Sequence, residues 1–500
     1  MEKALAYWLK IRSVHFFWWT FSCLLAFNAD RLLDPPYWDA VTGVYSQGLW
    51  LKMNHFDFSR LAQLPNYVAG GPRVHLLYAY APLFAWLSSC FAAKSVFLLL
   101  HTLNLIFAAV TITVFFHILR SRLSFVESLV WILAAALNPV WSGQCAGIYL
   151  EIPLAALSAL SFLFLWREQF FLAGLTCLFA YFIKSSAILQ GFVYFIFAFL
   201  MPFFRKDHPS SGKRKFQQWL SLSAPFPLML LMDAMANVKL RAAPHLFSQL
   251  RDVLIIVKIT LPYLAATICL FGVLFVIQLR SKQWRDRMRQ EPARPFLFCL
   301  ALFVFSFWVG FVCFPTPLPR YTVSIYFPLS ALFAFFLSNK RILSICLASL
   351  IIVVGVMTQN GSFLPKIPLQ SSRDGHVLER SREFLKDVDG NKNLCRALER
   401  DYFDRPIVCK YPFTQMLTLP EFGYVQKPLP RVYGAGRFPM VSPALRWDEN
   451  KSIVDSPGTV SVFCSNIYER SEPPSLLPGQ GSRILYQDES LPGYLLAWTR

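Results

Sequence analysis

The hydrophobic pattern divides the chain into two unequal parts. Up to about Thr358, long apolar runs alternate with short polar stretches; from Gln359 onward the chain is polar, rich in Pro and Gly, and lacks such runs. A helix needs about 20 apolar residues to cross a bilayer. Runs near that length occur at 10–29, 95–118, 125–142, 149–166, 169–183, 186–204, 216–232, 253–279, 295–314, 322–338 and 342–357. The pattern therefore predicts a polytopic α-helical membrane protein of about 11 spans over residues 1–358. Residues 359–500 are expected to form a small α/β domain. A helix is predicted at 374–388, and strands at Pro406-Ile-Val-Cys-Lys410, Val460-Ser-Val-Phe-Cys464 and Tyr494-Leu-Leu-Ala-Trp498.

Charge sets the orientation. Lys and Arg concentrate in loops such as Arg120/Arg122, Arg205–Lys215, Arg280–Arg294 and Lys340/Arg341. Cytoplasmic loops are the basic ones. The other ends then face outside, and with them the C-terminal residues. A further apolar run, 74–92, would invert this pattern if it crossed. It is assigned instead to the first external loop, 30–94, as an interfacial segment. Within that loop Asp34-Pro-Pro suits a helix start. Trp38, Val41, Tyr45 and Leu49 then share one face at helical spacing, expected to lie in the bilayer interface.

Composition agrees with this picture and excludes one alternative. The chain is 55% hydrophobic, 16% aromatic and 15% charged, with a mean hydropathy of +0.43. The net charge of +19 follows the positive-inside pattern, so a nucleic-acid partner is not expected. Most of the 11 cysteines lie in or beside apolar runs; Cys395, Cys409 and Cys464 do not, and allow at most one bridge among themselves. Two glycosylation triplets, Asn360-Gly-Ser and Asn450-Lys-Ser, occur in the polar part.

This topology gathers several polar residues on the external face. Asp39 belongs to the first loop, and Glu151 opens the span at 149–166. A carboxylate at a hydrocarbon boundary is costly unless it is functional or paired. Glu127, beside Arg122, is read as a paired structural acid. Cations outside run against the positive-inside bias: Lys184 directly follows a span, Arg320 lies in Pro317-Leu-Pro-Arg-Tyr321, and Arg73 in Gly70-Gly-Pro-Arg-Val-His75. Arg grips a phosphate through its fork and Lys as a point charge; snorkelling to lipid headgroups is the plainer account. His75, Tyr149 and Tyr321 are further candidates. Asp39 is the candidate general base, and Glu151 a second acid. The two carboxylates together could also take Mg or Mn.

These residues resemble the GT-C superfamily of polytopic glycosyltransferases, in the branch of protein O-mannosyltransferases and aminoarabinose transferases. The likeness rests on Pro36-Tyr-Trp-Asp39-Ala, Tyr80-Ala-Pro-Leu83, Asn138-Pro139 followed by Tyr149-Leu-Glu151-Ile-Pro153, Phe182-Ile-Lys184-Ser-Ser, and Pro319-Arg320-Tyr321. It covers about residues 10–357. Where the family carries Asp-Glu in its first loop, this chain has Asp39-Ala40. The resemblance implies a GT-C transmembrane module and a polyprenyl-phosphate sugar donor. It further implies a lipid, glycan or protein acceptor on the external face of a plasma membrane or an endoplasmic reticulum membrane. A transporter or flippase and a non-catalytic scaffold are the alternatives; the candidate residues lie at span ends rather than span centres, unlike many transporter sites.

Overall fold

The computed structural model describes residues 2–37, 40–58, 80–204, 212–235, 294–313, 319–361, 363, 380–409, 413–434, 458–464, 483–488 and 495–499. The expected span at 253–279, and Asp39, Arg73, His75 and Asn450, lie outside them.

The first part is helical. Helix α1 runs Glu2–Phe27. A π-helical turn at Val41–Tyr45 leads into α2, Ser46–Met53. Helices α3 (Tyr80–Cys90), α4 (Ala93–Arg120), α5 (Phe125–Ala136) and α6 (Pro139–Ala146) follow. After them come α7 (Glu151–Trp166), α8 (Phe170–Ile183), α9 (Ile188–Phe204), α10 (Gly212–Ser223), α11 (Pro225–Met235), α12 (Arg294–Cys313), α13 (Tyr326–Phe336) and α14 (Arg341–Met357). Among the described residues, α4 and Arg294–Phe311 are long and apolar enough to cross a membrane. The bent pair α5–α6 would make a third span. The stretches Val14–Phe27, Glu151–Trp166, Phe170–Ile183, Ser185–Met201 and Arg341–Met357 are apolar but shorter. Among the described residues the expected count of about 11 spans is therefore not reached on length and composition.

Local chemistry explains several departures. The run 125–142 is broken, with α5 and α6 meeting at 66°. Asn138 caps α6 by accepting from the Val140 and Trp141 N–H groups at 3.0 and 3.3 Å, and Pro139 occupies the first helical position. That sequence starts a new helix rather than continuing the old one. The run 216–232 divides between α10 and α11, with Pro225 opening the second. The expected span 322–338 begins with a 3-10 segment, Pro319–Ile325, before α13. Ser124 and Glu127 form a capping box at the start of α5, and Arg341 approaches Glu127 at 3.8 Å, so Glu127 is structural.

The loop after α1, expected to be external, also differs from the sequence reading. Asp34 starts no helix; it accepts from Lys392 at 2.7 Å and from Arg31 at 3.2 Å. Val41, Tyr45 and Leu49 do share a face, but all three are buried in protein. The Tyr45 ring meets Phe84 of α3 edge-on at 4.6 Å. The expected lipid-facing stripe is thus a helix–helix contact. Gly48 permits it, because a Cβ there would lie 2.7 Å from the Ala81 carbonyl oxygen. Helix α3 has 11 residues, a rise of about 16 Å, or half the hydrocarbon thickness. Alone it is too short to cross.

The C-terminal residues fold around a mixed five-stranded sheet, in the order β2-β1-β3-β5-β4. The strands are β1 Ile407–Cys409, β2 Val432–Gly434, β3 Val460–Cys464, β4 Arg483–Asp488 and β5 Leu495–Thr499. β1 pairs in parallel with β2 and β3, while β5 runs antiparallel to β3 and β4. The three expected strands are β1, β3 and β5. The helix expected at 374–388 begins later: Ser381 caps a 3-10 turn at Arg382–Phe384, and α15 runs Leu385–Asp401. A short α16, Phe413–Thr418, follows β1. Cys395 is a free thiol and, like Cys409, is buried, so no bridge joins the two.

Two hydrophobic cores result. One unites the apolar helices from α4 to α14. The other joins Val41, Tyr45, Phe84, Phe97 and Tyr149 to Phe384, Leu394, Ile407 and Val460. Residues from both sides of the expected boundary at 358/359 share this second core.

Candidate active site

Between the two cores lies a charged cluster built from three helix ends. Glu151 is the first residue of α7, where the helix dipole favours an anion. Lys184 caps the C-terminus of α8, where it favours a cation. Arg320 sits in the 3-10 segment before α13. Glu151 Oε1 accepts a short contact from the Lys184 ammonium and lies 3.2 Å from Arg320 Nε. The Glu151 and Arg320 residues are each only 4% exposed, while the Lys184 side chain is 19% exposed. One carboxylate oxygen thus serves two cations in a largely buried place.

Aromatic rings complete the cluster. The Arg320 guanidinium lies 5.0 Å from the Tyr149 ring centre and 5.5 Å from that of Tyr321. The Lys184 ammonium stands 4.4 Å above Tyr321. Such contacts favour a desolvated cation without neutralising it. The structure therefore brings together five sequence candidates: Glu151, Lys184, Arg320, Tyr149 and Tyr321.

The loop before Glu151 is fixed from two sides. Asn104, on α4, donates to the Gln144 and Gly147 carbonyls at 3.1 and 2.9 Å. The Tyr45 hydroxyl reaches the Ile148 carbonyl at 3.3 Å. Trp38 and Asp39 lie outside the described residues, but Tyr37 and Ala40 do not. Tyr37 stacks on Phe384 with centroids 5.9 Å apart, and Phe384 meets Tyr149 edge-on at 6.3 Å. The Ala40 N–H donates to the Tyr37 carbonyl at 3.0 Å. Tyr37, two residues before the Asp39 position, thus connects through Phe384 to the loop that carries Glu151. A small cavity opens there, lined by Tyr37, His101, Gly147, Tyr149, Phe384 and Val388.

Three participants escaped the sequence reading. Asn104 had a local signal, a polar residue inside a strongly apolar run. Tyr37 and Phe384 had none, because their partners are remote in sequence.

Asp39, one of the two carboxylates expected to take Mg or Mn, lies outside the described residues, and the other, Glu151, has cationic partners. Its Oε1 faces Lys184 and Arg320, whose charge opposes that of a metal. Among the described residues no group of three His, Cys, Asp or Glu side chains could hold one.

No family model and no curated protein matches the chain. The described architecture is that of a helical membrane-protein module with a C-terminal mixed sheet packed on its first loop. Solved structures share it. ArnT from Cupriavidus metallidurans bound to undecaprenyl phosphate superposes with a TM-score of 0.50 at 13% identity, over 100% of this chain and 98% of that one. The same protein in its apo state gives 0.47 at 14% identity, over 96% and 97%. The superposition with the lipid-bound protein spans both chains almost end to end, so this chain has the ArnT fold, as the resemblance to the GT-C superfamily implied.

Proposed function

We propose that the protein is a membrane glycosyltransferase that moves a sugar from a polyprenyl-phosphate donor to a lipid, glycan or protein acceptor on the external face. The observation that carries this reading is the buried Glu151–Lys184–Arg320 cluster, set in the fold of a protein whose crystal structure holds undecaprenyl phosphate. Its two cations suit the negative charge of a sugar phosphodiester.

In the proposed reaction an acceptor hydroxyl or amine attacks the anomeric carbon and inverts it. The bond from that carbon to the phosphate oxygen breaks, and its electron pair leaves with the polyprenyl phosphate. Asp39 takes the acceptor proton; a positioned general base is typically worth about 10²–10⁴-fold. Arg320 and Lys184 bind the phosphate and stabilise the charge that grows on it. Tyr149 and Tyr321 keep the two cations in place, and Glu151 orients them rather than acting as a second acid. Arg73 and His75, which the sequence assigns to the same first loop as Asp39, are further candidates for donor contacts. No metal step is needed in this scheme.

The test is transfer by purified protein from undecaprenyl-phosphate-linked mannose or aminoarabinose, supplied side by side. Asp39→Asn is expected to lower turnover by about 100-fold or more while undecaprenyl phosphate still binds. Transfer by the variant at the wild-type rate would rule out Asp39 as the base.

A further inference from the structure

The C-terminal residues touch the first external loop at an unusual place. Four polar contacts run from residues 387–424 to residues 31–37, immediately before Asp39. Lys392 donates to Asp34 at 2.7 Å. Arg31 pairs with Asp389 at 2.8 Å. The Tyr424 hydroxyl donates to the Pro36 carbonyl at 3.0 Å. The Tyr37 hydroxyl donates to Asp387 Oδ2 at 2.7 Å, with both residues buried.

The contacts are not equivalent. Arg31 and Asp389 are partly exposed, and ion pairs of that kind contribute little. The Tyr37–Asp387 bond is buried and has a charged acceptor, the stronger kind. Asp387 lies in the first turn of α15, where the helix dipole supports its charge. On its other side the Tyr37 ring stacks on Phe384, which leads to Tyr149 and Arg320. One side chain therefore ties α15, the cation cluster and the position two residues before Asp39. The π-helical turn just beyond, Val41–Tyr45, is of a type often found at functional sites.

We infer that Asp387 and Tyr37 are a positioning pair through which the C-terminal sheet region sets the place of Asp39 relative to the Arg320–Lys184 phosphate site. The inference rests on Asp39 being the base, and it gives the C-terminal residues a part in the reaction. Neither member of the pair is assigned a substrate contact in the proposed reaction. Tyr37→Phe keeps the stacking and loses only the hydrogen bond; Asp387→Asn keeps the shape and loses the charge. Misplacing a reacting group by about 1 Å can cost 100-fold in rate.

The experiment uses the full chain, with wild type, Tyr37→Phe, Asp387→Asn and the double variant. Turnover of the undecaprenyl-phosphate sugar donor is expected to fall about 10-fold or more in each, with no further loss in the double. The KM for donor and the Kd for undecaprenyl phosphate should stay within about twofold of wild type, because the cation cluster is untouched. Hydrogen exchange should quicken in peptides covering 34–45 and remain unchanged around Glu151 and Lys184. Wild-type turnover in Tyr37→Phe and Asp387→Asn, with Asp39→Asn inactive, overturns the inference and leaves the base assignment standing. Full activity of Asp39→Asn removes both. Parallel loss of turnover and undecaprenyl phosphate binding also overturns it, since the pair would then support the fold at large.

Discussion

Replacing Glu151 by Gln tests the charge cluster without altering its shape. In the wild type a single carboxylate oxygen serves both Lys184 and Arg320. Gln keeps the volume but removes the negative charge that Lys184 and Arg320 share, so two buried cations lose a common partner. Removing one partner of a buried ion pair costs about 3–5 kcal/mol. At about 2–4 °C per kcal/mol for a large domain, melting should fall by roughly 6–20 °C. An anion can restore part of the loss. A ligand at 100 times its Kd stabilises its protein by about 2.7 kcal/mol, and the variant, with one negative charge fewer beside its cations, should bind undecaprenyl phosphate more tightly than wild type. Thermal unfolding in detergent, with and without that lipid, measures both effects. The variant should melt lower and gain more from the lipid. A variant as stable as wild type, or one with no greater lipid-induced shift, would refute the idea that Glu151 holds two cations in an anion site.

Other predictions bear on separate parts of the molecule. Arg320→Lys should weaken undecaprenyl phosphate binding about 10-fold, because an ammonium lacks the planar fork that lies between Tyr149 and Tyr321; titration with the lipid measures it. Gly423→Ala should destabilise the C-terminal packing by about 1–2 kcal/mol or more in chemical denaturation, since φ is +77° and the new Cβ would meet Phe97 of α4 at 2.5 Å. Burial pushes the Tyr424 hydroxyl and the Cys395 thiol well above their ordinary values. Both stay protonated in the fold, while in the unfolded chain the thiol ionises near pH about 8.5 and the phenol near about 10. Stability is therefore complete below about pH 8 and falls as pH rises beyond it, as an alkaline series of melting curves would show. For topology, Ser95→Cys and Ser121→Cys lie at opposite ends of α4 and are exposed. In a background with Cys23, Cys90 and Cys346 replaced, an impermeant maleimide should label the first from outside and the second only after permeabilisation.

The sequence made the helical part readable because apolar runs and basic loops are local patterns. It also isolated Glu151, Lys184 and Arg320, for a physical reason: a charge at a span end on the external side has few innocent explanations. Contacts between remote segments were less accessible. The periodicity of Val41, Tyr45 and Leu49 correctly marked a buried face, but could not tell lipid from Phe84. Asp34 followed by two prolines looked like a cap, yet its partner is Lys392, supplied by α15. Helix α15 begins after the expected position because Ser381 first caps a 3-10 turn. Its Asp387 meets Tyr37 through tertiary folding alone, and no spacing announces such a pair. The break between α5 and α6 was written locally, in Asn138-Pro139, though it divides a run whose hydropathy is continuous.

The central claim is that Arg320 and Lys184 form the seat of a polyprenyl phosphate. Its most direct test is a structure of the full chain with undecaprenyl phosphate. The account predicts phosphate density within hydrogen-bonding distance of the Arg320 guanidinium and the Lys184 ammonium, with the Asp39 carboxylate facing the same space. Lipid phosphate bound elsewhere, with Glu151 still closing the cluster, would contradict it.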